Sequence, residues 1–181
     1  HGLTYVKAFG KMGYTTKLVA QLMRDLGSIP APMNSFILNL GLQTLHLRMA
    51  QHCSNAQRVA EFLQADPRVA WVHYSGLPGD AYHELAEKYL PGGSCGVIAF
   101  GLKGDRETAI RFMDSLDMIN IVTHVADART CVLHPASHTH RQLSDEQLRE
   151  AGVAPDLIRL SVGIEDCDDI LDDIRQALDK I

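Results

Sequence analysis

Two features of the chain carry residue types and spacings able to do chemistry. The first is a histidine group, His134, His138 and His140, in the run His134-Pro135-Ala136-Ser137-His138-Thr139-His140. Two imidazoles one residue apart, with a third nearby, could hold zinc on a strand or tight turn. No Glu or Cys stands at a zinc spacing, however, and the His-Glu-x-x-His signature is absent. The alternative is a polar turn whose hydroxyls and imidazoles fix the local backbone. The second feature is Arg159, the one cation in Leu157-Ile158-Arg159-Leu160. A guanidinium in a buried strand must be paired, because an uncompensated buried charge costs several kcal/mol. Its planar fork suits a carboxylate bidentately. On pattern alone, a structural pair with Glu165 or Asp166 and a clamp for a substrate acid stand level.

Other chemistries find less support. Ser75 lies in Tyr74-Ser75-Gly76-Leu77-Pro78, outside the Gly-x-Ser-x-Gly elbow of a hydrolase nucleophile. Gly92-Gly93 lacks the partner glycines and lysine of a phosphate loop. Cys53, Cys95, Cys131 and Cys167 are scattered, with no Cys-x-x-Cys pair, which reads as reduced thiols in a cytoplasmic protein. Cys53 and Cys95 have small or apolar neighbours and read as packing residues.

The elements that must position these residues follow from periodicity. Leu18, Val19, Leu22 and Met23 share a helix face within Lys11 to Leu26, which stops at Gly27. After a Pro-marked break, a long helix is predicted over 33–64. Met33, Phe36, Ile37 and Leu40 lead it and Val59, Phe62 and Leu63 close it, with a bend expected at Gly41. Beyond it strands and helices alternate. Strands are predicted at Val69–Tyr74, Gly96–Leu102, Cys131–Leu133 and Leu157–Val162, and helices over about 80–89, 105–116 and 166–179. Ser144 and Gln147 form a capping box opening a further helix that ends at Gly152. This pattern predicts an α/β (α+β-like) domain, a small and mostly antiparallel sheet with helices on one face. The division is a leading segment (1–32), a connecting helix (33–64) and a C-terminal α/β domain (65–181).

Composition bounds the function. The 181 residues are 46% hydrophobic and 22% charged with a formal net charge of −5, so no basic excess exists to hold nucleic acid. No apolar run approaches the ~18 residues that span a bilayer. The chain opens at His1 without an initiator Met, in the middle of a pattern, which leads us to expect a trimmed or truncated chain.

Several motifs stand together in a recognisable order. They are Leu40-Gly41-Leu42-Gln43-Thr44-Leu45-His46-Leu47-Arg48-Met49, Asn55-Ala56, Tyr74-Ser75-Gly76-Leu77-Pro78, His134-Pro135-Ala136-Ser137 with Thr139-His140, and Ile158-Arg159-Leu160-Ser161-Val162-Gly163-Ile164-Glu165-Asp166. Together they resemble the C-terminal part of the Cys/Met-metabolism family of pyridoxal-phosphate (PLP) enzymes. Within it, His1-Gly2-Leu3-Thr4-Tyr5, Arg24-Asp25-Leu26-Gly27 and Pro32-Met33-Asn34-Ser35-Phe36 are most similar to the O-acetylhomoserine sulfhydrylases. Methionine gamma-lyases and cystathionine gamma-synthases share the C-terminal motifs and remain alternatives. A free-standing, non-catalytic partner-binding domain is the alternative of another class.

The resemblance implies the C-terminal domain of a fold-type-I PLP enzyme, longer than this chain and assembled as a homotetramer (a dimer of dimers). It implies an amino-acid substrate and sulfide as reactants, with PLP as electron sink. Arg159 matches the family arginine that holds the substrate α-carboxylate. His124 stands where the family has a second carboxylate contact, Ser or Asn, and Ala126 stands where it has glycine. His134 and Ser137 match as supporting structure. The cofactor lysine has no match, since Lys7, Lys11 and Lys17 fall at other family positions. No catalytic, cofactor-binding or metal-binding residue is therefore expected here, nor covalent PLP or turnover from the isolated chain.

Overall fold

The apolar periodicity of the first third of the chain produces helices. The computed structural model describes residues 2–181 and divides into two units, one ending at Thr44 and one spanning Leu45–Ile181. In the first unit, α1 (Tyr5–Phe9) leads through a 3-10 turn into α2 (Gly13–Lys17). The winding continues through a π-helical stretch, Leu18–Met23, into α3 (Arg24–Leu26). Gly27 ends this run at φ 67°, a left-handed conformation that suits glycine at a helix C-terminus. The next helix, α4 (Pro32–Gln43), starts with proline in its first turn, where the missing N–H costs nothing. Its predicted apolar stripe is present but faces outward: Met33, Phe36, Ile37 and Leu40 are all more than half exposed.

The helix predicted as one piece over 33–64 occurs as two, α4 and α5 (Leu45–Ala65). The break falls at Thr44 (φ −108°, ψ 5°), not at Gly41, which lies inside α4. A β-branched threonine loses side-chain freedom in a helix, and here the backbone leaves the helical region at that residue. The second half of α5 packs into the second unit: Ala56, Val59, Ala60 and Leu63 are fully buried in its core.

That core lies against a five-stranded sheet of order β1-β2-β5-β4-β3. The strands are β1 (Val69–His73), β2 (Val97–Leu102), β3 (Asn120–Ile121), β4 (Cys131–Leu133) and β5 (Leu157–Ser161). All pairings are antiparallel except β3 with β4, which is parallel. The helices between them are α6 (His83–Tyr89), α7 (Arg106–Asp114) and α8 (Asp145–Glu150), and α9 (Cys167–Leu178) follows β5. The period-2 alternation of a strand sends Ile98, Phe100, Ile158, Leu160 and Val132 to one face, where they meet apolar residues of α5, α7 and α9. Ile170, Ile174 and Leu178 of α9, at helical spacing, are 0–1% exposed. Each such side chain contributes roughly 1.5–3 kcal/mol when fully buried.

The capping box predicted at Ser144 and Gln147 is present. Ser144 Oγ accepts from Gln147 N while Gln147 Oε1 accepts from Ser144 N. Asp105 and Asp166 cap α7 and α9. The strand β3, the helix α1 and the 3-10 turn Pro135–Ser137 are among the elements the sequence reading lacks.

Candidate carboxylate-binding site

Alternation along β5 places Arg159 on the sheet face opposite the core, because its neighbours Ile158 and Leu160 take the inner face. The strand is central, so Arg159 pairs in register with Ala99 of β2 and Leu133 of β4. Its guanidinium reaches a loop, residues 123–130, that joins β3 to β4. Nη2 donates to the carbonyl oxygens of Thr123 at 2.9 Å and His124 at 3.3 Å. Nε is buried and has no hydrogen-bond partner.

The two carboxylates that sequence proximity offers to Arg159 are engaged elsewhere. Glu165 accepts from the Thr130 amide at 2.5 Å and from the Thr130 hydroxyl at 2.9 Å. Asp166 caps α9, accepting from the amide of Asp168 at 2.9 Å. Among the described residues no ion pair joins Arg159 to any carboxylate. The structural pairing considered from the sequence is thus not made. An unmade hydrogen bond at a buried charged donor costs on the order of 1–3 kcal/mol or more. An acceptor oxygen supplied from outside the protein would recover it.

His124 contributes its main-chain carbonyl to Arg159, while its exposed ring approaches Asp127, Nδ1 to Oδ2 3.3 Å. Asp127 also accepts from the Arg129 amide at 3.0 Å, and these hydrogen bonds hold its carboxyl below the usual range. The His124 ring lines a small cavity of about 200 Å³ with Asn120, Val122, Arg129 and Cys131. Ala126 has φ 60°, the only positive value at a non-glycine residue among those described. Its amide donates to Ser161 Oγ at 3.1 Å.

The histidine group does not converge. The His134 ring is fully buried, with Nδ1 2.8 Å from Ser137 Oγ and Nε2 2.8 Å from the Pro155 carbonyl oxygen. Burial pushes its pKa below the ordinary value. His138 Nδ1 meets the His134 carbonyl and His140 Nδ1 the Thr139 hydroxyl. These are the contacts of a polar turn. All four cysteines are free, and burial raises the thiols of Cys53, Cys131 and Cys167.

A lysine that condenses with PLP is activated by desolvation or a neighbouring cation in an apolar pocket. All six lysines of this chain, Lys7, Lys11, Lys17, Lys88, Lys103 and Lys180, are exposed. The residues present fit a carboxylate at Arg159 and do not fit a covalent cofactor anchor.

Sequence reasoning missed Thr130 and gave Asn55, Ser161 and Glu165 no part in shaping the loop. The signal lies at Gly163. A Cβ there would lie 2.5 Å from the Ala128 oxygen and 2.6 Å from the Thr130 nitrogen, so only glycine admits this close approach.

O-acetyl-L-homoserine sulfhydrylase 1 of Thermus thermophilus is 42% identical over 178 residues, 98% of this chain and 42% of the relative. Homocysteine synthase of Schizosaccharomyces pombe is 42% identical over 179 residues, 99% of this chain and 42% of the relative. A crystal structure from Campylobacter jejuni, described as an O-acetylhomoserine (thiol)-lyase with pyridoxyl-lysine phosphate, superposes with TM-score 0.88 at 37% identity. It covers 99% of this chain and 42% of that one. This chain therefore spans less than half the length of the curated relatives it matches. A family model described as Cys/Met metabolism PLP-dependent enzyme matches residues 5–179, and the chain belongs to that family.

Proposed function

We propose that this chain is the C-terminal portion of a PLP-dependent O-acetylhomoserine sulfhydrylase, converting O-acetylhomoserine and sulfide to homocysteine and acetate. Its part in that reaction is to receive the substrate's α-carboxylate at Arg159. One observation carries the reading: a buried guanidinium nitrogen without an acceptor, on the face of a central strand away from the core, with both nearby carboxylates engaged elsewhere.

When bound, PLP supplies the electron sink for the carbanion chemistry at the substrate's Cα. What this chain supplies is position. The Nη2 bonds to Thr123 and His124 hold the fork, and a carboxylate arriving at Nε completes it. Fixing the carboxylate restricts the rotation of Cα, and orientation of this kind can be worth several kcal/mol of barrier. His124 is assigned as the second contact through its Nε2. With Nδ1 donated to Asp127, Nε2 can donate to a carboxylate only as imidazolium.

The exposed lysines support an anchor contributed by chain outside this segment, and hence no turnover by the segment alone. The outward Met33, Phe36, Ile37 and Leu40 of α4 support burial against further protein, as in a homo-oligomer. Four free thiols suit the cytoplasm. Among the described residues no helix is long and apolar enough to cross a membrane.

The test is Arg159→Ala in the intact enzyme. Losing a charge-assisted bidentate contact raises the amino-acid KM and lowers kcat/KM by about 10²-fold. Arg159→Lys keeps the charge without the fork and falls between. Unchanged kinetics in both variants would remove Arg159 from the site.

A further inference from the structure

We propose that Glu165 is a positioning residue that, through Thr130, latches the 123–130 loop onto the end of β5 and sets the direction in which Arg159 presents Nε. The inference rests on the reading of Arg159 as the carboxylate receiver. It assigns the orientation of that group to a carboxylate that itself never meets substrate.

The loop has no regular structure, so its path depends on tethers. Three lie along it. At the start, the Thr123 and His124 carbonyls accept from Arg159 Nη2. In the middle, the Ala126 amide donates to Ser161 Oγ. At the end, the loop is stitched to the turn after β5. Ile164 N donates to Ala128 O at 2.9 Å, Gly163 N to Thr130 Oγ1 at 2.9 Å, and Thr130 gives both its amide and its hydroxyl to Glu165. Glu165 thus spends both oxygens on one residue across 35 positions of sequence.

The receiving turn is itself held from α5. Asn55, almost fully buried, donates from Nδ2 to the carbonyls of Gly163 (3.1 Å) and Glu165 (2.8 Å), and His52 Nδ1 meets the Val162 carbonyl at 2.7 Å. A rigid helix therefore fixes the turn, the turn fixes Thr130, and Thr130 fixes the loop carbonyls on which the guanidinium hangs. Among the described residues those carbonyls are the hydrogen-bond acceptors of the long Arg159 side chain, and they help set its direction. Releasing the latch lets the fork rotate, and a misdirected fork loses its advantage for a planar carboxylate before it loses its charge.

The experiment compares L-alanine with L-alaninamide as competitive inhibitors of the intact, PLP-loaded enzyme, since their affinity ratio reads the carboxylate grip. Glu165→Ala lowers the ratio about fivefold or more with a smaller fall in kcat, the scale of one charge-assisted hydrogen bond redirected. Glu165→Gln, which still accepts from the Thr130 amide, restores most of it. A second readout is amide exchange in the 181-residue chain. Glu165→Ala speeds exchange at Ala126, Thr130 and Ile164 by about tenfold, while Ile98 and Phe100 of β2 stay protected. If the alanine variant loses β2 protection as well, the glutamine variant decides: it must keep both fold and ratio near wild type. An unchanged ratio in Glu165→Ala, beside a reduced one in Arg159→Lys, overturns the latch and leaves Arg159 standing. An unchanged ratio in Arg159→Lys overturns the carboxylate reading, and with it the role given to Glu165.

Discussion

Asp173 and Arg159 are both charged side chains drawn into the protein, and the fold treats them in opposite ways. Asp173, on the inner side of α9, accepts from the amides of Asp117 (2.8 Å), Met118 (3.0 Å) and Ile119 (2.8 Å), and from Gln176 Nε2 (2.9 Å). Arg159, on the outer face of β5, has two long-armed bonds from one nitrogen and none from buried Nε. A charge whose valences are filled by the chain's own backbone is finished as a structural part. One left short of an acceptor in an otherwise well-satisfied domain is, on the proposed reading, where a substrate carboxylate would be received. On that reading the difference separates stability from function within a single sheet-and-helix layer.

The strongest way to break that distinction is to truncate both. Asp173→Ala strips the acceptor from three consecutive amides between α7 and β3, and buried donors left unmade cost on the order of 3 kcal/mol or more in total. Urea denaturation should show a large fall in midpoint. Arg159→Ala, by contrast, removes a group that is already incompletely paired, and should shift the midpoint by about 1 kcal/mol or less. If the two variants lost equal stability, Arg159 would be a structural residue after all.

His134 sharpens the same contrast with pH. Its neutral ring is filled by Ser137 and Pro155, and burial lowers its pKa from the usual 6.5. The unfolded chain then binds the proton more tightly than the folded one. The contribution of neutral His134 is present above about pH 6.5 and is lost as pH falls through the unfolded value toward the folded one. Between about pH 7.5 and pH 5.5 wild type should lose more stability than His134→Gln, measured by urea midpoints at each pH. Parallel losses would mean that another group carries the proton linkage.

How far the sequence discloses all this depends on the range of each interaction. Strands β2 and β5 are legible because Gly96–Leu102 and Leu157–Val162 are short apolar runs bounded by turn residues, and α9 because its acidic start and Ile170-Ile174-Leu178 stripe are local. Strand β3 is not legible: two exposed residues pair with β4 because Asp173 positions the preceding amides, 54 to 56 residues away. The break at Thr44 escaped because helix periodicity runs through it unchanged. Arg159 is visible as a lone cation in an apolar strand, but the pattern leaves its partner open. Proximity in sequence suggested Glu165, whereas the turn at Gly163 carries that carboxylate to Thr130. Partners set by a chain reversal have no spacing rule to be read from.

The smallest expected effect concerns the Arg159 side of the comparison alone. Ala126 sits at φ 60° in the loop that carries Arg159's carbonyl partners. A left-handed conformation costs an L-residue about 1–2 kcal/mol, while glycine gives back part of the gain through the greater entropy of its unfolded chain. Ala126→Gly should therefore raise stability by about 0.5 kcal/mol, read as a small increase in urea midpoint with an unchanged slope. The Ala126 amide would still donate to Ser161, so the tether survives the substitution. A loss of stability instead would mean that the loop gains more from the methyl group than the backbone loses. The left-handed residue would then be a packed feature, and no strain would be held beside the receiving arginine.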